Sequence, residues 1–167
     1  MKAKGFTLVE ILIVVVILGI MAAIVLPKFS NASEAARAAM LADDLRIIRI
    51  QIGVFAAQHN SVAPGYPLCD PHAAPTEKAF VLQMTMASDS GGKVADPGTP
   101  GFPYGPYLRE IPINPFNGKN TVEMIGNDAK MPSEADDSHG WVYQPATQAF
   151  RADNQGTDEK GMPFYEY

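Results

Sequence analysis

The N-terminal part of the chain carries an apolar run that is interrupted by a single carboxylate. From residue 6 to residue 26 every side chain is apolar or small except those of Thr7 and Glu10. About 20 such residues are enough for a helix to cross a bilayer. A charge at the middle of a spanning helix costs about 2.5–3.5 kcal/mol on insertion scales. Glu10 is therefore expected to have a partner and a function.

The residues around Glu10 form a specific pattern. Lys2 and Lys4 precede Gly5, and Phe6 follows it. This segment resembles the class III signal of type IV pilins and of the pseudopilins of type II secretion, in which a short basic leader ends in Gly and Glu is fifth in the mature chain. The resemblance implies cleavage by a prepilin peptidase between Gly5 and Phe6 and N-methylation of Phe6. It also implies a role for Glu10 in filament assembly.

Cleavage at this junction would create a cation in an apolar setting. The freed α-amino group of Phe6 would be protonated at neutral pH, since the reference pKa of such a group is about 7.7–8.0. In a low-dielectric assembly this ammonium and the Glu10 carboxylate would attract each other strongly, and each would lower the cost of burying the other. The resemblance implies that the two groups belong to neighbouring subunits and set the axial register of a filament.

Three other interpretations of the N-terminal segment remain open. An ordinary secretory signal would be cleaved after the small-residue triplet at residues 30–32, but the apolar run is long for such a signal. A plain membrane anchor would carry Glu10 incidentally. A buried core helix is disfavoured by the uninterrupted run and by the basic residues that flank it.

The helix is expected to continue beyond the apolar run. Pro27 removes one amide donor and predicts a bend near residues 24–26. Residues 33–58 are rich in Ala and have apolar side chains at helical spacing, which predicts an amphipathic continuation. The apolar stripe comprises Ala36, Ala39, Met40, Leu45, Ile48, Ile52 and Phe55. Asn60 is a suitable C-terminal cap.

The rest of the chain predicts a small α+β head. Thr76 is expected to cap a short helix over residues 76–87, and the Gly- and Pro-rich connection over residues 88–106 is too long for a simple turn. Three short segments have the composition of antiparallel strands. They are residues 121–125, 140–144 and 149–152. We therefore expect a pilin fold, in which a long N-terminal helix, with a membrane half and an amphipathic half, packs on a small antiparallel β-sheet.

A second resemblance lies far from the first. The stretch Gly105-Pro106-Tyr107-Leu108 is similar to the one at which major pseudopilins enter a Pro-rich turn before the sheet. It points to the pseudopilin branch of the family.

Charge and composition argue against other classes of function. The chain has 13 basic and 18 acidic residues, a net charge of −5. Such a chain is not expected to bind nucleic acid, because phosphate contacts need clustered Lys and Arg. Cys69 is the only cysteine, and its neighbours Asp70 and His72 have no fourth ligand at zinc-like spacing. No catalytic motif is recognisable, so the chain is not expected to be an enzyme.

Calcium is the one cofactor that the resemblance suggests. Major pseudopilins carry Ca²⁺ in a C-terminal loop of Asp carboxylates and backbone carbonyls, which suit a hard cation. Here the acidic segments are residues 133–137 and 152–159, and Asp153 and Asp158 are the candidate ligands. The Gly-rich, Asp-spaced loop of the family is not reproduced, and a solvated acidic tail is the alternative.

The resemblance as a whole implies a structural subunit of a type II secretion filament. We expect a leader at residues 1–5, a transmembrane and filament-core helix at residues 6–29, and a periplasmic globular domain at residues 30–167. The positive-inside bias places Lys2 and Lys4 in the cytoplasm, with one span in the inner membrane. Expected partners are copies of the chain, other pseudopilins, the prepilin peptidase and the inner-membrane assembly platform. The alternatives are a type IV pilin or minor pilin in adhesion or motility, and a membrane-anchored binding or enzymatic domain.

Overall fold

The described part of the chain folds into two α-helices, five short strands and two 3₁₀ turns. A computed structural model describes residue 5 and residues 7–167, without the side chains of residues 24–31. The helices are α1 (Leu8–Gln58) and α2 (Glu77–Thr85), and the 3₁₀ turns are Pro67–Cys69 and Phe164–Glu166. The strands are β1 (Ala87–Ser88), β2 (Val94–Ala95), β3 (Val122–Met124), β4 (Trp141–Gln144) and β5 (Ala149–Ala152). The chain divides into two compact units, Met1–Ala36 and Arg37–Tyr167.

The first unit presents apolar surface. Its large apolar side chains from Leu8 to Met21 are between 48% and 83% exposed. The part of the chain that the structure describes contains no helix whose length and apolar character together suffice to cross a membrane. Helix α1 is continuous through Pro27, whose side chain lies outside the described residues, so the predicted bend there stays a prediction.

The second unit is built on the amphipathic part of α1. The buried side chains of this part recur at intervals of three and four residues, which places them on one face of the helix. They are Leu41, Leu45, Ile48, Ile52 and Phe55. They form one apolar cluster with Trp141, Tyr143 and Phe150 of the sheet and with Phe80 of α2. The predicted packing of an amphipathic helix on a small sheet is confirmed, and so is the core position of Trp141 and Tyr143. The first part of the predicted stripe is wrong: Ala36, Ala39 and Met40 are exposed, and Leu41 is the buried residue at the start of the packed face.

Helix α1 ends at the residue that the sequence indicates. Asn60 has a positive φ of 54°, and the amide of Ser61 donates to the carbonyl of Ala56 at 2.8 Å. This bond spans five residues and is typical of a helix that closes on a left-handed residue, a conformation that Asn tolerates better than most. The predicted cap at Asn60 is therefore confirmed.

Helix α2 also begins as predicted. The hydroxyl oxygen of Thr76 accepts a hydrogen bond from the amide of Ala79 at 3.2 Å, which satisfies one of the free donors of the first turn. At the other end, the carbonyl of Met84 accepts from the amides of Tyr107 and Leu108 at 3.0 and 2.8 Å. The Gly105–Leu108 stretch thus packs against the last turn of α2.

The main sheet has the order β3-β4-β5 and is mixed. Strands β4 and β5 form the predicted antiparallel hairpin, with Trp141 opposite Ala152 and Gln144 opposite Ala149. The expectation that all three strands are antiparallel is wrong for β3, which runs parallel to β4. The reason is the connection: residues 125–140 cross over before β4 begins, whereas an antiparallel neighbour needs only a tight hairpin. The α+β pilin-like arrangement is otherwise as predicted.

The connection over residues 88–106 packs within the second unit. It contains an antiparallel hairpin that the sequence did not indicate, with Ser88 opposite Val94, and a bridge joins Ser88 to Tyr104. Gly92 lies at the turn of this hairpin, so close to Cys69 that a Cβ there would be 2.3 Å from the thiol sulfur. The hairpin therefore covers Cys69.

Candidate functional site

The first turn of α1 holds the most distinctive polar contact of the N-terminal unit. The amide of Glu10 donates to the hydroxyl oxygen of Thr7 at 3.2 Å, and the amide of Thr7 donates to the Glu10 carboxylate at 3.3 Å. The Thr7 hydroxyl also donates to the same carboxylate oxygen at 3.4 Å. These reciprocal bonds form a capping box, in which a Thr and a Glu three residues apart satisfy each other's free amides.

The capping box gives Glu10 a local role that the sequence analysis missed. The signal was present, since Thr-x-x-Glu before an apolar run is a sequence mark of a helix start. Both residues are exposed, so the carboxylate is open to a further partner. A negative group in the first turn is also favourable toward the positive end of the helix dipole.

The cleavage junction itself is only partly described. Gly5 is exposed and outside any helix or strand. Phe6, the predicted site of cleavage and methylation, lies outside the described residues, as do Met1–Lys4 of the predicted leader. Cleavage after Gly5 and methylation of Phe6 stay predictions.

The histidines do not assemble into a recognisable catalytic arrangement. His59 is fully buried and stacks on Phe55, with ring centroids 3.8 Å apart. Its Nδ1 atom lies 2.8 Å from the Phe55 carbonyl and therefore donates to it, and its Nε2 atom is hydrogen-bonded to the Ser88 hydroxyl at 3.1 Å. His59 thus joins the end of α1 to β1. His72 is an exposed loop residue whose amide donates to the Asp70 carboxylate.

The two candidate calcium ligands each have their own set of donors. Asp153 is buried, and its two carboxylate oxygens accept from the amides of Asp136 and His139 at 3.0 and 2.8 Å. Longer bonds of 3.3 and 3.4 Å come from the Asp137 amide and the Ser138 hydroxyl. A carboxylate that is surrounded by N–H and O–H groups in this way already has the partners that a buried charge needs.

The Asp158 carboxylate is hydrogen-bonded within a different turn, residues 158–162. One carboxylate oxygen accepts from the amides of Lys160 and Met162 at 2.8 and 2.9 Å, and the other accepts from the Tyr167 hydroxyl at 2.8 Å. The hydrogen bond from the Met162 amide is the main reason that the pKa of Asp158 is lowered, and the Tyr167 hydroxyl adds to it.

The surroundings of these two carboxylates do not resemble those of a calcium-binding site. Calcium needs six to eight oxygen ligands with free lone pairs, and both carboxylates point theirs at hydrogen-bond donors. Among the residues that the structure describes, no three side chains of His, Cys, Asp or Glu come together as metal ligands do. Calcium at Asp153 and Asp158 stays a prediction to which the geometry adds no support.

Comparison with known proteins identifies relatives of the chain. The family model for the prokaryotic N-terminal methylation motif matches residues 1–26. The type II secretion system core protein G of Klebsiella pneumoniae is 26% identical, over 84% of this chain and 96% of its own length. The protein of the same name from Dickeya chrysanthemi is also 26% identical, over 97% of this chain and 98% of its own length.

A pilus protein is similar as well. The type IV narrow pilus major component PilA5 of Thermus thermophilus is 39% identical, over 53% of this chain and 72% of its own length. No solved structure matches the chain.

Proposed function

Because the chain belongs to the family of type IV pilins and pseudopilins, we propose that it is a structural subunit of a pilus-like filament that serves type II secretion. The observation that carries the proposal is the exposed apolar surface from Leu8 to Met21. A single chain leaves this surface without a partner within the residues described, and patches of this kind mark protein or membrane contacts. The role that follows is mechanical, and no enzymatic step is assigned to the chain.

Secretion is favoured over a pilus by the extent of the similarity. The proteins named core protein G align with most of this chain and with nearly all of their own length, so their likeness includes the head. The similarity to the pilus component is higher in identity but covers about half of this chain. That higher identity supports a type IV pilin as the second candidate. Neighbouring genes for a secretin and several pseudopilins would favour the first, and a retraction motor would favour the second.

We propose the maturation and the location of the chain from what is typical of the family. A prepilin peptidase would cleave after Gly5, and the new amine on Phe6 would be methylated. Before assembly the apolar helix would hold the subunit in the inner membrane, with the leader in the cytoplasm and the head in the periplasm. An assembly platform in that membrane would then transfer subunits to a filament of this chain and other pseudopilins.

Glu10 is proposed to fix the register of neighbouring subunits. Its carboxylate is exposed and accepts only from Thr7 among the described residues. An amine on Phe6 of a neighbouring subunit would add a full positive charge to these neutral donors. In a helix bundle that excludes water, such a charge pair is much stronger than a hydrogen bond between neutral groups.

The test separates the charge of Glu10 from its capping role. Glu10→Gln keeps an oxygen that accepts from the Thr7 amide but removes the charge, whereas Glu10→Ala removes both. We expect both variants to insert in the membrane and neither to assemble. The measurements are membrane fractionation and the yield of filaments sheared from cells. Glu34→Gln, an exposed position in the same helix, is the matched control and should assemble normally.

Two outcomes would contradict this assignment. If Glu10→Gln assembled like the unmodified chain while Glu10→Ala did not, the residue would serve as a helix cap and not as a charge partner. If both variants assembled, Glu10 would not be an assembly residue. Mass spectrometry of the mature chain tests the maturation step independently: a chain that begins at N-methylated Phe6 supports it, and one that begins at Ser33 overturns it.

A further inference from the structure

The acidic loop, which we define as residues 135–140, is held on its amide side by one buried carboxylate. Asp153 accepts from the amides of Asp136, Asp137 and His139 at 3.0, 3.3 and 2.8 Å. The carbonyls of Asp137, Ser138, His139 and Gly140 accept from side chains of another segment, residues 114–119.

Three side chains of one turn, residues 114–119, donate to these carbonyls. The Lys119 ammonium donates to the carbonyls of Asp137 and Ser138 at 2.6 and 3.1 Å. The next two carbonyls of the loop accept from amide groups of the same turn. The Asn117 amide donates to His139 at 2.7 Å, and the Asn114 amide donates to Gly140 at 2.9 Å.

The turn and the loop are in close backbone contact. A Cβ on Gly140 would lie 2.2 Å from the carbonyl oxygen of Lys119, so only a glycine permits this approach. Asn114 is fully buried, and Asn117 donates a further bond to the carbonyl of Asp153 at 2.6 Å. These contacts hold the backbone of Lys119 next to the loop, and its exposed side chain reaches the loop carbonyls from there.

An ammonium group that lies between two carbonyl oxygens attracts both of them, as a small metal cation would. Carbonyl oxygens that face each other repel, and a metal ion such as Ca²⁺ usually relieves this in loops of acidic residues. The Lys ammonium is a compact charge with three donors, so it can bond to several carbonyls at once. At this loop the positive charge is that of the Lys119 ammonium.

We propose that Lys119 is the built-in counter-ion of the acidic loop, which orders the loop without a bound metal ion. This inference replaces the calcium site that the sequence suggested at Asp153 and Asp158, because the Asp153 carboxylate already accepts from the loop amides. It holds whether or not the chain forms filaments. It implies that the head keeps its structure when calcium is scarce.

The first experiment uses the full chain, purified in detergent, with Ca²⁺ as the probe. We expect no saturable heat in a calorimetric titration and no change in melting temperature between excess Ca²⁺ and EDTA. Stoichiometric binding together with a rise in melting temperature would overturn the proposal. This measurement needs no variant, so it decides the question even if a substitution at Lys119 prevents folding.

The second experiment removes the charge. Lys119→Met keeps the length of the side chain and should lower the melting temperature by about 2–4 °C. Hydrogen exchange should become about five- to tenfold faster at the amides of Asp136 and His139. Lys119→Arg should restore most of the protection, because it keeps a charged donor. Lys130→Met, at an exposed position in the preceding loop, is the control and should change neither quantity. Equal exchange in Lys119→Met and the unmodified chain would overturn the proposal.

Discussion

The guanidinium group of Arg49 donates two hydrogen bonds to the carbonyl oxygen of Phe150, at 3.0 and 2.8 Å. These residues lie 101 positions apart, one in α1 and one in β5. A third bond, of 2.5 Å, reaches the backbone oxygen of Tyr167. One side chain thus joins the amphipathic helix, an edge strand of the sheet and the last 3₁₀ turn. Desolvation of the Arg49 guanidinium and the nearby Arg151 lower its pKa, but it remains charged at neutral pH.

Replacing Arg49 should therefore loosen the helix from the sheet. Arg49→Met keeps most of the apolar stem but leaves the Phe150 carbonyl without its donors. We expect the free energy of unfolding to fall by about 1–2 kcal/mol, the range for hydrogen bonds to a charged group that is only partly buried. Denaturant titration of the full chain measures this.

The control for Arg49 lies one turn earlier in the same helix. Arg46 is largely exposed and, among the described residues, pairs only with Asp43, at 2.8 Å. Exposed pairs of this kind contribute little, so Arg46→Met should change the free energy of unfolding by less than about 0.5 kcal/mol. If Arg49→Met and Arg46→Met lowered the free energy of unfolding equally, the hydrogen bonds from Arg49 to Phe150 would contribute little to stability.

Asp158 should make the stability of the folded chain depend on pH in a defined direction. Its pKa is lower in the folded chain than in the unfolded chain, chiefly through the Met162 amide. The stabilisation that it provides is therefore present above about pH 4 and is lost as the pH falls through the lowered pKa. Asp158→Asn should have a lower melting temperature at pH 7, and the difference should shrink as the pH falls below about 4. Glu159→Gln, at the exposed neighbouring residue, should show no such difference at either pH.

Much of this architecture could be predicted from local patterns. The part of the apolar stripe of α1 from Leu45 to Phe55, the Thr76 cap and the Asn60 cap all depend on residues that are close in sequence. The same holds for the β4–β5 hairpin. In each case the interaction that stabilises the element lies within a few residues, so a single sequence contains it.

The direction of β3 could not be predicted in this way. It depends on how residues 125–140 cross over, and that path is held by contacts between distant residues. The Gln144 amide donates to the carbonyl of Ala129 at 2.7 Å, and the Tyr165 hydroxyl donates to the carbonyl of Pro132 at 2.7 Å. Neither Ala129 nor Pro132 belongs to a periodic pattern that could be recognised in the sequence.

The counter-ion of the acidic loop was missed for the same reason. Nothing in the sequence distinguishes Lys119 from the other basic residues. Its carbonyl partners lie 18 and 19 residues away along the chain. Backbone carbonyls leave no mark in a sequence, because every residue has one. The acidic side chains are visible in the sequence, and they suggested a metal.

The thiol of Cys69 should be protected by the hairpin that covers it. Burial, with a smaller contribution from Asp89, raises the pKa of this thiol to about 11. The reactive thiolate is therefore rare at pH 8, and alkylation should be on the order of 100-fold slower than in the unfolded chain. Gly92→Ala would place a methyl group 2.3 Å from the sulfur and should both destabilise the head and speed up alkylation.

A second glycine separates the steric effect from the backbone effect. Gly98 also has a positive φ, +87° against +76° for Gly92, but a Cβ there meets no atom within 4 Å. Both substitutions carry the cost of a left-handed alanine, about 1 kcal/mol. Only Gly92→Ala should raise the rate of Cys69 alkylation by more than its loss of global stability explains. If the two variants had equal rates of Cys69 alkylation after correction for their loss of global stability, the hairpin would not shield the thiol.

The hydroxyl of Tyr143 lies in the core without a hydrogen-bond partner among the described residues. Burial raises the pKa of this hydroxyl, so it stays neutral, but an unpaired polar group still costs about 1–3 kcal/mol. Tyr143→Phe removes only the oxygen and should raise the free energy of unfolding by up to about 1 kcal/mol, because the ring contacts with Phe80 and Phe150 remain. Tyr165→Phe is the matched control: its hydroxyl donates to Pro132, so the same change should lower that free energy. Denaturant titration of both variants compares them, and a loss of stability in Tyr143→Phe would mean that a water molecule pairs with the hydroxyl.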